Sequence, residues 1–365
     1  MTESRRQALR FTLTQPPLLS RATFHRADEL RDDPAALLSG WPSARVLLVD
    51  STGRYPVTGD GTLHWVDAQT LGPEPGPDAV FLGVSDAVSA GVSDAQDASG
   101  HLWARRVDHV DGPTADPRRG AELLGADEAG LLVTALGILN WHATARFSPV
   151  DGVPIVAARG GWVRRPALGG PNLAGHNKAT ATDEFPRTDP AIITVVHDGA
   201  DRVLLGRQAV WPDGWYSTLA GFVEPGESLE QCVIREVHEE VGITVRDPRY
   251  LGSQPWPFPR SLMLGFEALG DPDEPLRFLD GEIGDAIWFH RDEVREALAA
   301  GGGWSRADGA RISPVAPASP LAPASPVAPL APAPAGAGAP RLRLPGSISI
   351  ARAMIEAWAD PQAGR

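Results

Sequence analysis

The chain has 365 residues, a formal net charge of −13 and 42% hydrophobic residues. That is more than one ordinary domain, with enough apolar content for packed cores, so two or three folded units are expected. An acidic chain does not draw polyanions through its overall field, so a phosphate-bearing ligand has to be met by metal ions or by local Arg and Lys. The single cysteine, Cys232, excludes an intrachain disulfide framework and a Cys-based zinc site.

Residues 1–145 mix short strand-like runs with loops, as in Ala44–Asp50 (ARVLLVD) and Ala79–Val84 (AVFLGV). The region closes on Leu and Ala at helical spacing from about Gly120 to Arg146. The run 86–100 (DAVSAGVSDAQDASG) reads as a loop, and 146–187 as an irregular connector rich in Gly and Pro. From Asp189 the pattern sharpens. AIITVVHDGADRVLLGRQA reads as strand, tight turn, strand, and WYSTLAGFV as another strand. SLEQCVIREVHEEVG reads as a helix, with Ser228 as its N-cap and Gly242 closing it. Further strands are expected near Tyr250–Ser253, Ser261–Ala268 and Ala286–Phe289, and a helix at Arg291–Ala299. A Pro/Ala stretch at about 303–340 is of low complexity and reads as a disordered insert, because SISIARAMIEAWA (347–359) resumes an amphipathic helix after it. This mixed order of strands and helices implies an α+β sandwich rather than a parallel βαβ series. No stretch is long and apolar enough to span a membrane. The N-terminus lacks the apolar core of a signal peptide, so a cytoplasmic location is the expectation.

The chemistry concentrates in residues 221–243, GFVEPGESLEQCVIREVHEEVGI. A helix advances about 100° per residue, so Glu236, Glu239 and Glu240, at i, i+3 and i+4, project from one face. Carboxylates crowded in this way repel one another unless a divalent cation sits among them, and hard oxygen ligands suit Mg²⁺ or Mn²⁺. Glu227 at the helix start can join them or orient a ligand, and Arg235 can brace the loop by pairing with a carboxylate. A solvated acidic helix face is the alternative for a lone ExxEE. It loses ground here because seven fixed positions from Gly221 to Gly242 agree with one known frame, which chance delivers on the order of once in 10⁸ starts.

That frame resembles the Nudix box without gap or substitution. The resemblance implies a Nudix α/β/α sandwich, preceded by a mixed α/β N-terminal domain and a degenerate zinc-ribbon-like connector. It implies a pyrophosphohydrolase with Glu236, Glu239 and Glu240 as metal ligands and Glu227 and Arg235 supporting them. Any of the box carboxylates could serve as the base.

Ten residues after the box, Ser253–Pro259 reads SQPWPFP, with Ser261 two residues beyond. This is a Pro-braced loop that displays an amide and two aromatics, suited to a base or a nicotinamide, although the rings could equally be core packing. It resembles the signature of the NADH pyrophosphatase branch of the Nudix family, which also decaps NAD-capped RNA. On that resemblance Gln254, Trp256, Phe258 and Ser261 contact substrate, as do Phe222 after the first box glycine and Ala351 on the C-terminal helix. For Phe222 ordinary core packing is an even alternative. GEIGDAIWF (281–289) resembles the segment that supplies a further metal-site acid; here Asp285 stands where Glu is usual, with Glu282 as the nearby alternative. The branch often carries two CxxC pairs in its connector. Ser148 and Asp151 stand where cysteines would be, and His142 and His176 do not make up a site, so no structural zinc is expected. The domains are then 1–145, 146–187 and 188–360. The substrates that fit are NADH, NAD⁺ and NAD-capped RNA, with ADP-ribose or a non-catalytic nucleotide-sensing module as rivals, and the branch implies a homodimer.

Overall fold

The computed structural model describes residues 10–85, 100–166, 183–278, 281–301 and 342–361. It forms two compact units. One comprises Leu19–Thr188 with Pro255–Ser261; the other comprises Met1–Leu18, Asp189–Gln254 and Leu262–Arg365. Composition drew its boundaries at 145 and 188, whereas the structure gathers the connector into the N-terminal unit and gives the first 18 residues to the C-terminal one. The Pro/Ala stretch, most of the loop at 86–100 and His176 lie outside the described residues.

In the N-terminal unit, helix α1 (Pro34–Gly40) starts where the Asp33 carboxylate accepts from the N–H groups of Ala35 and Ala36. The strands are β1 (Arg45–Val49), β2 (Tyr55–Pro56), β3 (Val66–Asp67), β4 (Val80–Ser85), β5 (Gly100–Arg106) and β6 (Thr114–Ala115). Four of them form a sheet in the order β3-β1-β5-β4, with β1 and β5 parallel and the outer pairs antiparallel; β2 pairs separately with β6. Trp41, Phe81 and Trp103 meet edge to face in the core on one side of this sheet. After the single turn α2 (Pro117–Gly120) comes the long helix α3 (Ala126–Thr144), which packs on β4 and β5 and buries Leu132, Ala135, Leu136 and Leu139.

The connector expected to be irregular contains a hairpin, β7 (Ile155–Ala158) and β8 (Val163–Pro166). Two four-residue strands are too short to show a period of two, and the turn between them relies on Gly160 and Gly161 at φ 62° and 87°. At the degenerate knuckle, Ser148 Oγ accepts from the N–H of Val150, and Asp151 Oδ1 from the N–H of Val153. Beside it, His142 is buried. Its Nε2 lies 2.8 Å from the Gly161 carbonyl, and its Nδ1 accepts from Arg164, which also donates to the Ile155 carbonyl. Arg165 and Asp183 form a two-pronged ion pair with both N···O distances 3.0 Å. The Ser148 and Asp151 side chains are thus both engaged in hydrogen bonds within this turn.

The C-terminal unit contains β9 (Asp189–His197), β10 (Arg202–Gln208), β11 (Leu219–Phe222), α4 (Leu229–Val241), β12 (Arg246–Trp256), β13 (Ser261–Leu269), β14 (Ile283–His290), α5 (Arg291–Ala299) and α6 (Ile350–Ala359). The sheet order is β12-β13-β9-β10-β14, with β11 paired to the early part of β9. Successive residues of β9 point to opposite faces. Ile192 and Val196 join Cys232, Val233, Val237 and Val241 of α4 in one core. Ile193 and Val195 join Met354, Ile355 and Trp358 of α6 and Val294 of α5 in the other. The result is a three-layer α/β/α sandwich in which, among the described helices, α4 packs on one face of the sheet and α5 and α6 on the other.

The first described residues belong to this sandwich. Phe11 is buried in the α6-side core, and Arg10 reaches Glu267, whose side chain is fully buried. Glu267 Oε1 accepts from Arg10 at 2.9 Å and from Arg249 at 2.7 Å, and its Oε2 lies 3.4 Å from His197 Nε2. His197 Nδ1 accepts the Gly199 N–H, so Nε2 carries the ring proton and points at the carboxylate. Burial works against ionisation of Glu267, but bonds from His197, Arg249 and Arg10 outweigh it and hold the carboxyl down at about 2.

Candidate active site

Helix α4 begins with a capping box: Ser228 Oγ accepts the Gln231 N–H, and the Gln231 side chain accepts the Ser228 N–H. It ends at Gly242, at φ 78° in the left-handed region. These two stops fix which residues face the sheet and hence where the glutamates emerge.

The glutamates are organised around one guanidinium. Arg235 Nε donates to both oxygens of Glu227 at 3.0 and 3.1 Å, Nη2 donates to the Phe222 carbonyl at 3.0 Å, and Nη1 lies 2.9 Å from both Glu236 and Glu239. Arg235 therefore ties the loop before the helix to the helix face. Its bond pulls Glu227 below the usual carboxylate range. Glu236 behaves in the opposite way. Burial lifts its pKa, the neighbouring charges of Glu239 and Glu282 lift it further, and Arg235 only partly offsets them. Glu240 is buried at 3% exposure. Cys232 sits beneath the cluster, and burial together with the charges of Glu227 and Glu236 pushes its thiol up to about 12, so it stays neutral.

Gly221 explains the first position of the frame. A Cβ built there would lie 1.9 Å from Cδ of Glu236 and within 2.2 Å of both its oxygens. Any side chain at 221 would occupy the place of the carboxylate, so glycine is needed for close approach.

The other expected site residues fall in three places. Phe222 is half-buried on β11, and its carbonyl is taken by Arg235. Gln254 is fully buried: its Nε2 donates to the Ile348 carbonyl and its Oε1 accepts the Ile350 N–H, both at 2.7 Å, so the amide holds the start of α6. Ala351 is buried in the first turn of α6, where Ser349 Oγ accepts its N–H. Trp256, Phe258 and Ser261 belong to the segment grouped with the N-terminal unit. There Trp256 and Phe258 meet edge to face at 5.0 Å, and Phe258 is 9% exposed.

Asp285, expected as a metal ligand, has another partner. Along β14 it alternates with Ile287 and Phe289 and so points to the α6 side of the sheet, where the Tyr216 hydroxyl donates to it. Burial, then that hydrogen bond, pushes the Tyr216 phenol up to about 12. The acid of this segment whose charge reaches Glu236 is Glu282, which accepts from Gln208 at 3.1 Å. Neither Tyr216 nor Gln208 was visible as a partner in the sequence, because strand pairing alone brings residue 207 opposite 285.

For a divalent cation the donor set is chemically right. It consists of hard carboxylate oxygens, and one of them, Glu236, is pushed towards protonation by burial and, to a smaller extent, by the like charges of Glu239 and Glu282. Among the described residues no group of three or more His, Cys, Asp or Glu is already gathered at metal-holding geometry. Arg235 is the cation that Glu227, Glu236 and Glu239 share.

Comparisons with known proteins bear on the same residues. The NUDIX domain family matches residues 187–307. A protein of Mycobacterium bovis named NAD-capped RNA hydrolase NudC is 47% identical over 358 residues, covering 96% of each chain. Its Mycobacterium tuberculosis counterpart is 46% identical over the same span. The human NAD-capped RNA hydrolase NUDT12 is 40% identical over 181 residues, 48% of this chain and 37% of that protein. Among solved structures, a NUDIX hydrolase from Nitrosomonas europaea is 20% identical, covering 40% of this chain and 78% of its own, with a TM-score of 0.32.

Proposed function

This chain belongs to the Nudix hydrolase family, in the branch of the NADH pyrophosphatases and NAD-capped RNA hydrolases, and from that premise we propose that it cuts the diphosphate of NADH or NAD⁺ to nicotinamide mononucleotide and AMP. The observation that carries the reading is the intact box, with Glu227, Glu236 and Glu239 joined through Arg235 and Glu236 seated on Gly221.

Glu236, Glu239 and Glu240 would hold Mg²⁺ or Mn²⁺, with Glu282 as the added acid, since its charge reaches Glu236 and Asp285 is engaged by Tyr216. When bound, the cation offsets phosphate charge and makes water a better nucleophile. The chain supplies the rest. Arg235 fixes the loop from Phe222 to Glu227, so the carboxylates are presented from two rigid elements rather than from a free loop. Glu239, half exposed and, among the described residues, bonded through Arg235 Nη1, is the carboxylate freest to turn. Phe222 takes a base, and Gln254 supports this indirectly by fixing the start of α6 beside Ala351.

The names of the relatives favour a second substrate, in which the same cut removes a NAD cap from RNA. A chain of net charge −13 would need a local basic path for the RNA body. A homodimer is carried over from the family resemblance. The test is to incubate NADH, NAD⁺, ADP-ribose and NAD-capped RNA with Mg²⁺ or Mn²⁺ and separate the products, with Glu239→Gln alongside. AMP and a nicotinamide mononucleotide from the wild type and none from the variant support the reading. Nucleotide binding without cleavage would favour a sensing module.

A further inference from the structure

The aromatic loop has a backbone problem. Pro255, Pro257 and Pro259 have no N–H, so this stretch can donate only from Trp256 and Phe258, and the Phe258 N–H is spent on the Trp256 carbonyl at 2.7 Å. The carbonyls of Pro257 and Pro259, on either side of Phe258, need donors from elsewhere. Both find the same one. Asn140, on the last turns of α3, donates its side-chain amide to each at 3.0 Å. One helical turn earlier, Gly137 faces Pro257: a Cβ there would sit 3.8 Å from Pro257 Cβ, an ordinary packing distance.

The amide of Asn140 is itself oriented. Its oxygen accepts from Arg106 at 2.7 Å, which turns the NH₂ group towards the loop. Arg106 is held in turn by the Asp50 carbonyl, and the Asp50 carboxylate caps the following turn through the N–H groups of Thr52 and Arg54. On the other side, the Arg118 guanidinium lies 5.1 Å from the centre of the Phe258 ring. The chain Asp50, Arg106, Asn140 runs from β1 and β5 through α3 and ends on the two carbonyls that bracket Phe258.

We propose that Asn140, oriented by Arg106, is the positioning residue for the substrate-contacting loop at 256–258. This rests on the reading that Trp256 and Phe258 contact the substrate. The sequence gives no sign of it, because Asn140 and the loop are more than a hundred residues apart.

Asn140→Asp is the discriminating variant. It keeps the volume, the helix and the partner of Arg106, but replaces two donors with a charge facing two carbonyls. Asn140→Ala is its companion, and Arg106→Met, which frees the amide to flip, is a milder third. Two measurements are made on the full chain: hydrogen exchange at the amides of Trp256 and Phe258, and steady-state kinetics on NADH. The expected result is faster exchange at 256 and 258 in both Asn140 variants, an unchanged melting temperature, and a KM raised about tenfold with kcat within about twofold, the scale of one to two net hydrogen bonds lost. Asn140→Asp is expected to be at least as impaired as Asn140→Ala; rescue by Asp would mean the residue acts by bulk alone and would overturn the proposal. Unchanged exchange would overturn it as well. Faster exchange with an unmoved KM would refute the link to substrate contact. If the wild type cuts no dinucleotide, the functional reading fails instead, and the exchange measurement still decides whether Asn140 positions the loop.

Discussion

Two charge clusters in the C-terminal unit share their ingredients and differ in purpose. Around Glu267, one carboxylate meets two arginines and a histidine proton, and the carboxyl is driven far below its ordinary value. Around Arg235, one guanidinium serves Glu227, Glu236 and Glu239, and Glu236 is driven above its ordinary value by burial, with smaller additions from the charges of Glu239 and Glu282. In the first cluster the carboxylate is answered by two arginines at 2.9 and 2.7 Å, with His197 Nε2 at 3.4 Å. The second carries surplus negative charge on a half-exposed helix face. Surplus of one sign, held in place by the fold, marks a site waiting for a ligand, whereas pairing of opposite signs marks structure.

The contrast can be broken at either cluster. Glu267→Ala is expected to cost the most stability, about 3–5 kcal/mol, since it leaves Arg10, Arg249 and His197 facing a void. A denaturant titration checks this; a cost below about 1 kcal/mol would mean the pairing is ornamental. The same cluster predicts an acid limb. The folded carboxyl titrates at about 2 against an ordinary 4.5, so its contribution is complete above about 4.5 and is lost as the pH falls towards 2, up to about 3 kcal/mol in all. Unfolding free energies of wild type and Glu267→Gln between pH 6 and pH 2 should converge at the acid end, and parallel curves would contradict the assignment.

At the other cluster, Gly221→Ala displaces the Glu236 carboxylate and is expected to lower kcat about a hundredfold, or about 2.7 kcal/mol, with a smaller loss of stability. If kcat is unchanged, Glu236 does not work from the position seen here. The smallest effect is expected in the connector. Ser148→Ala removes one turn hydrogen bond and should cost at most about 1 kcal/mol with no change in turnover, measured by melting temperature and rate together.

How much of this was legible in the sequence follows from the range of each interaction. The helix carrying Glu236, Glu239 and Glu240, its Ser228 cap and its Gly242 stop were all readable, because they depend on spacings of one to fourteen residues. So was α5, and α6 with its Ser349 cap falls inside the helix expected at 347–359. Hidden from view were the partners that strand order and docking supply: Tyr216 on Asp285, Gln208 on Glu282, Arg10 on Glu267 and Asn140 on the loop prolines. The partners of Asp285 and Gln254 were hidden for the same reason. Each residue type was right for a ligand-facing task, but a neighbour far along the chain had already claimed its polar atoms.

The measurement that bears most directly on the central claim is NADH turnover by Glu236→Gln, taken together with its melting temperature. The surplus-charge account predicts a loss of about a thousandfold, the scale of several kcal/mol removed from the transition state, with no loss of stability because one like charge has been relieved. Turnover within about tenfold of the wild type, or a fall in melting temperature comparable with that of Glu267→Ala, would place Glu236 among the structural charges and contradict it.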